Sequence, residues 1–65
     1  MMGPHDNRRL KAFIRDEKEA AEEYRKMGEM MLDAGHLEHA TLFYDMAEDE
    51  AKHAETVEYI MKNKP

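Results

Sequence analysis

Two glutamates and one histidine stand where an apolar surface would otherwise be continuous. Read in alternating steps of four and three residues, Glu17 interrupts the apolar stripe of a first predicted helix and Glu50 interrupts that of a second. A buried ionised carboxylate is costly unless it is paired or bound to a metal. His53 follows Glu50 by three residues, about 60° round a helix, so both side chains can reach one ion. The pattern predicts a metal site.

The two predicted helices bring these residues to one level. Glu17 lies 18 residues before Gly35, whereas Glu50 and His53 lie 15 and 18 residues after it. At a rise of about 1.5 Å per residue, Glu17 is level with His53 and within about one turn of Glu50. Such a hairpin supplies one lone Glu and one Glu-x-x-His, which is half of a di-iron carboxylate site on four helices. Two hairpins complete the set.

The ligand types restrict the metal. Four carboxylates from two chains carry a charge that two divalent ions balance, whereas an empty site holds like charges close together. Carboxylate and imidazole ligands without a thiolate suit Fe or Mn, and they also accept Zn. We therefore expect two metal ions per dimer, with iron as the first choice.

The rest of the chain predicts an all-α fold in a single domain over residues 1–65. Ala, Glu, Lys, Leu and Met are abundant, and proline occurs only at Pro4 and Pro65. Helix 1 is expected from about residue 7 to 34, capped by Asp6 or Asn7, and helix 2 from about 36 to 62. Gly35 suits the left-handed residue that ends a helix, so the two helices form an antiparallel hairpin.

A lone hairpin leaves apolar stripes uncovered. The chain has 65 residues and no cysteine, so it is too short for a large core and has no disulfide to staple it. Two helices cannot cover both of their own apolar faces, which predicts a homodimer that forms a four-helix bundle, or a higher homo-oligomer. The predicted stripes are Leu10, Ile14, Glu17, Ala21, Tyr24, Gly28 and Met31 in helix 1, and Ala40, Phe43, Ala47, Glu50, Ala54, Val57 and Met61 in helix 2.

Charge and hydropathy exclude some partners. The net charge of -5 argues against nucleic acid, which requires a basic surface. The apolar runs are far too short to span a bilayer, and no apolar segment follows the N-terminal arginines as it would in a signal peptide. We therefore expect no membrane and a cytoplasmic location.

The spacing resembles that of rubrerythrin and related ferritin-like proteins. The shared pattern is Glu17, Ala20 and Tyr24 in the first helix and the segment 50–54, Glu-Ala-Lys-His-Ala, in the second. The resemblance implies Glu17 as a terminal ligand, Glu50 as a bridging ligand and His53 as a terminal imidazole. It also implies that Tyr24 donates a hydrogen bond to a carboxylate across the bundle.

The resemblance extends from about Leu10 to Met61. These residues hold one helix pair where the family has two, which resembles encapsulated ferritins, whose metal site forms between subunits. The implied activity is oxidation of Fe(II) by O₂ or peroxide, as a ferroxidase or a peroxidase-type oxidoreductase. The cysteine-bearing module that supplies electrons in rubrerythrin has no counterpart in this cysteine-free sequence.

Other interpretations stay open. The three residues can instead form a polar cluster that sets the register of a non-catalytic helical oligomerisation module, or the glutamates can pair with Lys or Arg at a bundle edge. His36 and His39, spaced by three residues, are expected to bond to the helix end or to face solvent. Asp49 has ligand spacing to His53 but falls off the stripe. The methionines, including Met27, Met31, Met46 and Met61, are expected to pack rather than to bind metal.

Overall fold

The computed structural model describes residues 3–63 and consists of two α-helices joined by a short turn. Helix α1 spans Pro4–Asp33 and helix α2 spans Leu37–Lys62, and the two pack against each other. The hairpin measures 50 × 16 × 10 Å. The predicted all-α hairpin is confirmed, whereas its pairing with a second copy stays a prediction.

Helix α1 begins three residues earlier than predicted. Gly3 is its N-cap and Pro4 its first residue, where the fixed φ of proline suits a helix and the missing N–H is no loss. The Gly3 N–H donates to the Asp6 carboxylate at 3.2 Å, so Asp6 stabilises the cap from inside the helix. Helix α2 begins at Leu37, with His36 as its N-cap.

The turn is built on Gly35, which has a φ of +81°. The His36 N–H donates to the Met31 carbonyl at 2.8 Å and the Gly35 N–H donates to the Leu32 carbonyl at 3.0 Å. These two bonds satisfy carbonyls at the end of α1 in the Schellman arrangement, which needs a left-handed residue at this point. The helix end predicted at Gly35 is therefore present, and it turns the chain back on itself.

Small side chains line the contact between the helices. Ala21 and Gly28 lie seven residues apart in α1, and Ala40, Ala47 and Ala54 repeat at the same interval in α2. The four alanines are at most 2% exposed, and they are the buried hydrophobic residues of the described chain. Because residues seven apart share one side of a helix, these positions form a narrow seam that lets the two backbones approach closely.

Gly28 makes the tightest approach in the seam. A Cβ at Gly28 would lie 2.9 Å from two ring carbons of Tyr44, although alanine favours a helix over glycine by about 1 kcal/mol. We expect Gly28→Ala to destabilise the wild type by about 1 kcal/mol through overpacking, but to stabilise a Tyr44→Ala background by up to about 1 kcal/mol. Urea unfolding of the four variants measures both values, and effects of equal sign would contradict the contact.

Large apolar side chains lie beside the seam rather than in it. Phe13, Met46 and Ile60 are 42%, 41% and 46% exposed, and Tyr24 stacks on Phe43 with ring centroids 6.4 Å apart. At about 100° per residue, these large side chains fall on the same side of the hairpin, next to the seam. We call this side the open face, formed by Phe13, Tyr24, Met27 and Met31 of α1 and Leu42, Phe43, Met46, Val57, Ile60 and Met61 of α2. Within residues 3–63, neither helix is long and apolar enough to cross a membrane.

Candidate metal centre

Glu17, Glu50 and His53 meet in the middle of the open face. Each offers one ligand atom, and these atoms lie within 4.8 Å of one another. In the described part of the chain this is the group of three or more acidic or histidine side chains that can hold an ion. The residues that the sequence analysis selected from two separate helices are therefore brought together within one hairpin.

Burial differs among the three side chains. Those of Glu17 and Glu50 are 18% and 23% exposed, because each lies in the row of positions next to the seam. The side chain of His53 is 58% exposed, since it lies one row further out, between Met46 and Ile60 at intervals of seven. The imidazole thus lies at the outer edge of the cluster, on the side that the hairpin leaves uncovered.

His53 links the two glutamates. Its Nδ1 lies 3.0 Å from Glu17 Oε2 and 3.9 Å from Glu50 Oε1. In the tautomer with a proton on Nδ1, the ring donates a hydrogen bond to Glu17. Within residues 3–63 neither glutamate pairs with a lysine or an arginine, and the neighbouring Lys18 pairs with Glu58 at 3.3 Å instead. The described residues of this hairpin therefore do not form the ion pairs with Lys or Arg that the bundle-edge interpretation requires.

The two carboxyl groups lie close enough for each to shift the pKa of the other. A hydrogen bond to Glu17 raises the pKa of Glu50, and desolvation and the charges of Glu17 and Asp49 raise it further. The hydrogen bond from Glu50 lowers the pKa of Glu17, and the bond with His53 lowers it further. A divalent cation would favour the ionised form of both carboxyl groups.

The opposite pKa shifts of Glu17 and Glu50 predict that the stability of the metal-free protein depends on pH. The contribution of Glu50 to stability is complete below its ordinary pKa of 4.5 and is lost as pH rises through the raised value. The contribution of Glu17 is present above 4.5 and is lost as pH falls through the lowered value. We expect wild type to lose stability relative to Glu50→Gln as the pH rises above the ordinary value of 4.5 and through the raised pKa of Glu50.

Urea unfolding of both proteins in a chelator, at a series of pH values, measures this difference. Glu48→Gln is the matched control, since it removes an exposed carboxylate from the same helix. A difference between wild type and Glu50→Gln that stays constant with pH would show that the carboxyl groups do not interact.

The donor set fits a divalent transition metal. Nitrogen and carboxylate oxygen ligands lie about 2.0–2.2 Å from such an ion, so two ligands at right angles are about 3 Å apart and two nearly opposite ones about 4 Å apart. The separations of His53 Nδ1 from Glu17 and Glu50, 3.0 and 3.9 Å, fall in this range. Three protein ligands leave coordination positions open for further groups.

The other residues singled out from the sequence occupy different places. Tyr24 lies on the open face beside Phe43, and its predicted bond to a carboxylate across the bundle involves a second chain. Asp49 is outside the three-ligand group and acts on Glu50 through its charge. His36 and His39 are exposed at the turn, with ring centroids 5.7 Å apart, and the His36 side chain makes no capping hydrogen bond.

Sequence reasoning missed two aromatic contacts. The stripe pattern includes Tyr24 and Phe43 but does not predict that their rings stack, and it does not predict that Tyr44 packs over Gly28. The spacing of Gly28 and Ala21 by seven residues was the available signal, because small residues at that interval mark a close approach of two helices. A search of protein-family models, curated proteins and solved structures found no match to this chain.

Proposed function

We propose that this chain is a ferritin-like metal-binding protein in which two copies form a four-helix bundle and share a two-metal carboxylate site. Iron is the metal that we propose, with Mn or Zn as alternatives. The proposed activity is oxidation of Fe(II) by O₂ or peroxide in the cytoplasm.

One observation carries this proposal: Glu17, Glu50 and His53 converge on the open face and not in the seam. Surface carboxylates that serve only solubility have no reason to lie 18% and 23% exposed among apolar side chains. One hairpin supplies two carboxylates and one imidazole, and two hairpins supply the four carboxylates and two imidazoles of a di-metal carboxylate site. The apolar surroundings give a second hairpin a reason to cover the cluster.

The residues of the chain have separate tasks in this proposal. The Glu17 and Glu50 carboxylates neutralise and position the cations, and the imidazole of His53 supplies a neutral donor from the outer edge. Bound metal supplies open coordination positions and redox chemistry. Two Fe(II) substrate ions each give up one electron, and O₂ takes up both electrons and two protons to leave as hydrogen peroxide. Because carboxylate ligands bind metal in the deprotonated form, metal entry favours the ionised forms of Glu17 and Glu50.

Metal content and oxygen uptake test the proposal in sequence. Protein purified without chelator is analysed for Fe, Mn and Zn, and metal-free protein is titrated with Fe(II) without oxygen. The proposal predicts about one ion per chain, since two ions serve two chains. Adding O₂ to the Fe(II)-loaded protein is then expected to consume about one O₂ for two Fe(II). Metal binding without oxygen uptake would leave a metal-binding protein and remove the oxidase activity.

The hydrogen bond between His53 and Glu17 favours a second candidate function. At 3.0 Å it satisfies part of the cluster without any metal, as expected for a polar group that sets the register of a non-catalytic oligomerisation module. The two candidates differ in metal content. Oligomers that take up no Fe(II), Mn(II) or Zn(II) on titration would support the oligomerisation module and exclude the metal site.

A further inference from the structure

Charge is distributed unequally along the hairpin. The half next to the turn, residues 19–49, contains nine Asp or Glu and two Lys or Arg, which gives a formal charge of -7. The other half, residues 1–18 and 50–65, contains six Asp or Glu and eight Lys or Arg, which gives +2. We call these the turn half and the terminal half. Their sum is the net charge of -5.

We propose that the second copy lies on the open face in the opposite direction, so that the turn half of each chain covers the terminal half of the other. This inference rests on the proposed function, since it describes how two chains share the site. The two-fold axis then runs perpendicular to the helices and passes between the two metal-binding clusters.

Charge complementarity favours this orientation over the alternative. With both turns at one end, two halves of charge -7 would face each other across a bundle in which helices are about 8–10 Å apart. That spacing is close to the screening length of about 8 Å at physiological ionic strength, so salt weakens the repulsion without abolishing it, and the repulsion increases at low salt. In the opposed orientation each half of charge -7 faces one of charge +2. Like charges select against the first arrangement.

The metal-binding cluster lies near the midpoint of the hairpin, which also favours the opposed orientation. At about 1.5 Å per residue, Glu17 and His53 lie about 27 Å from Gly35 and Glu50 lies about 22 Å from it. The axis is therefore about 25 Å from the turn, which is half of the 50 Å length of the hairpin. Opposed hairpins related by an axis at their midpoint overlap along their entire length. A cluster near one end would have left half of each open face uncovered.

The shape of the open face gives a third argument. Met31, His39, Leu42, Phe43 and Met46 of the turn half line an apolar groove of about 390 Å³. The residues that line this groove lie on average about 11 Å from the turn of their own chain. In the opposed orientation, the residues of the partner that face the groove lie about 39 Å from the partner's turn. Ile60 of the partner subunit lies at that level, and this side chain is 46% exposed in the hairpin. In the other orientation two grooves would face each other.

Distances between spin labels decide the orientation. The chain has no cysteine, so Ala34→Cys places one label at the exposed turn and Lys52→Cys places one at the level of the axis, on an exposed position. Both proteins are loaded with Zn(II), which is diamagnetic, and the distance between the two labels of a dimer is measured by pulsed electron paramagnetic resonance. The Lys52 label is the control, because its distance depends only on bundle width in either orientation.

The opposed arrangement predicts about 50 Å between the Ala34 labels, twice the distance from turn to axis. If both turns lie at the same end, the Ala34 labels are expected to be less than about 30 Å apart. That result, together with a Lys52 distance that matches the width of a four-helix bundle, would overturn the orientation but not the shared site. Absence of dipolar coupling at Lys52 would show that no dimer forms. That outcome would overturn both the orientation and the proposed function.

Discussion

Glu50→Gln is expected to reduce the metal content of the protein from about one ion per chain to near zero. The substitution keeps the shape of the side chain, but it removes the carboxylate that the resemblance assigns as the ligand shared by both ions. Both ions of a dimer lose a ligand at once, so the loss exceeds that for a terminal ligand. Elemental analysis of protein purified without chelator, followed by an Fe(II) titration, measures the effect.

Glu48→Gln is the control for charge, since it removes one exposed carboxylate two residues away on the same helix. We expect this variant to keep the wild-type metal content. Circular dichroism and the oligomeric state show whether both variants still fold and associate. If folded Glu50→Gln dimers bind as much metal as Glu48→Gln dimers, Glu50 is not a ligand and the proposed site is wrong.

Removal of the metal is expected to lower the melting temperature by roughly 10–30 °C. A ligand that binds only the folded state at 100 to 1,000 times its dissociation constant stabilises it by about 3–4 kcal/mol. In a domain of this size, each kcal/mol shifts the melting temperature by about 4–8 °C. The effect is large because the empty site of the proposed dimer would hold four carboxyl groups close together. Thermal unfolding with EDTA and after reloading with Fe(II) measures it.

Specificity for the site is tested in the Glu50→Gln variant, whose melting temperature is expected to be unaffected by chelator. Protein concentration must be held constant, because the stability of an obligate dimer depends on it. A wild-type melting temperature that changes neither with EDTA nor with added Fe(II) would argue against a metal that links the two chains.

Much of this hairpin was predictable, because its helix pattern is regular. Alternating steps of four and three identified both helices, and Gly35 identified the turn, where the structure has a φ of +81°. The register of Glu17 against Glu50 and His53 followed from counting residues outward from the turn, since helix rise is nearly constant. Because the rise per residue of a regular helix is nearly constant, the distance between two residues follows from their sequence separation. The cluster could therefore be predicted from the sequence.

The remaining features depend on packing that periodicity does not describe. The stripes contained both the alanine seam and the large apolar residues, and the pattern did not indicate that Ala40 and Ala47 face α1 whereas Phe43 lies on the open face. Only the contact geometry separates the two rows. The early start of α1 was missed because Asp6 acts as a cap from within the helix, whereas the prediction assumed a cap before it.

The alanine seam has a consequence for how this protein is made. Among residues 3–63, the fully covered apolar side chains are four alanines, which release little water-exposed surface on folding. In the proposed dimer, a hairpin with so small an interior would gain most of its stability from the second chain, and folding and association would become one bimolecular event. The refolding half-time would then shorten as protein concentration rises. Newly synthesised chains would mature slowly when scarce, and solitary chains would stay accessible to proteases until they met a partner.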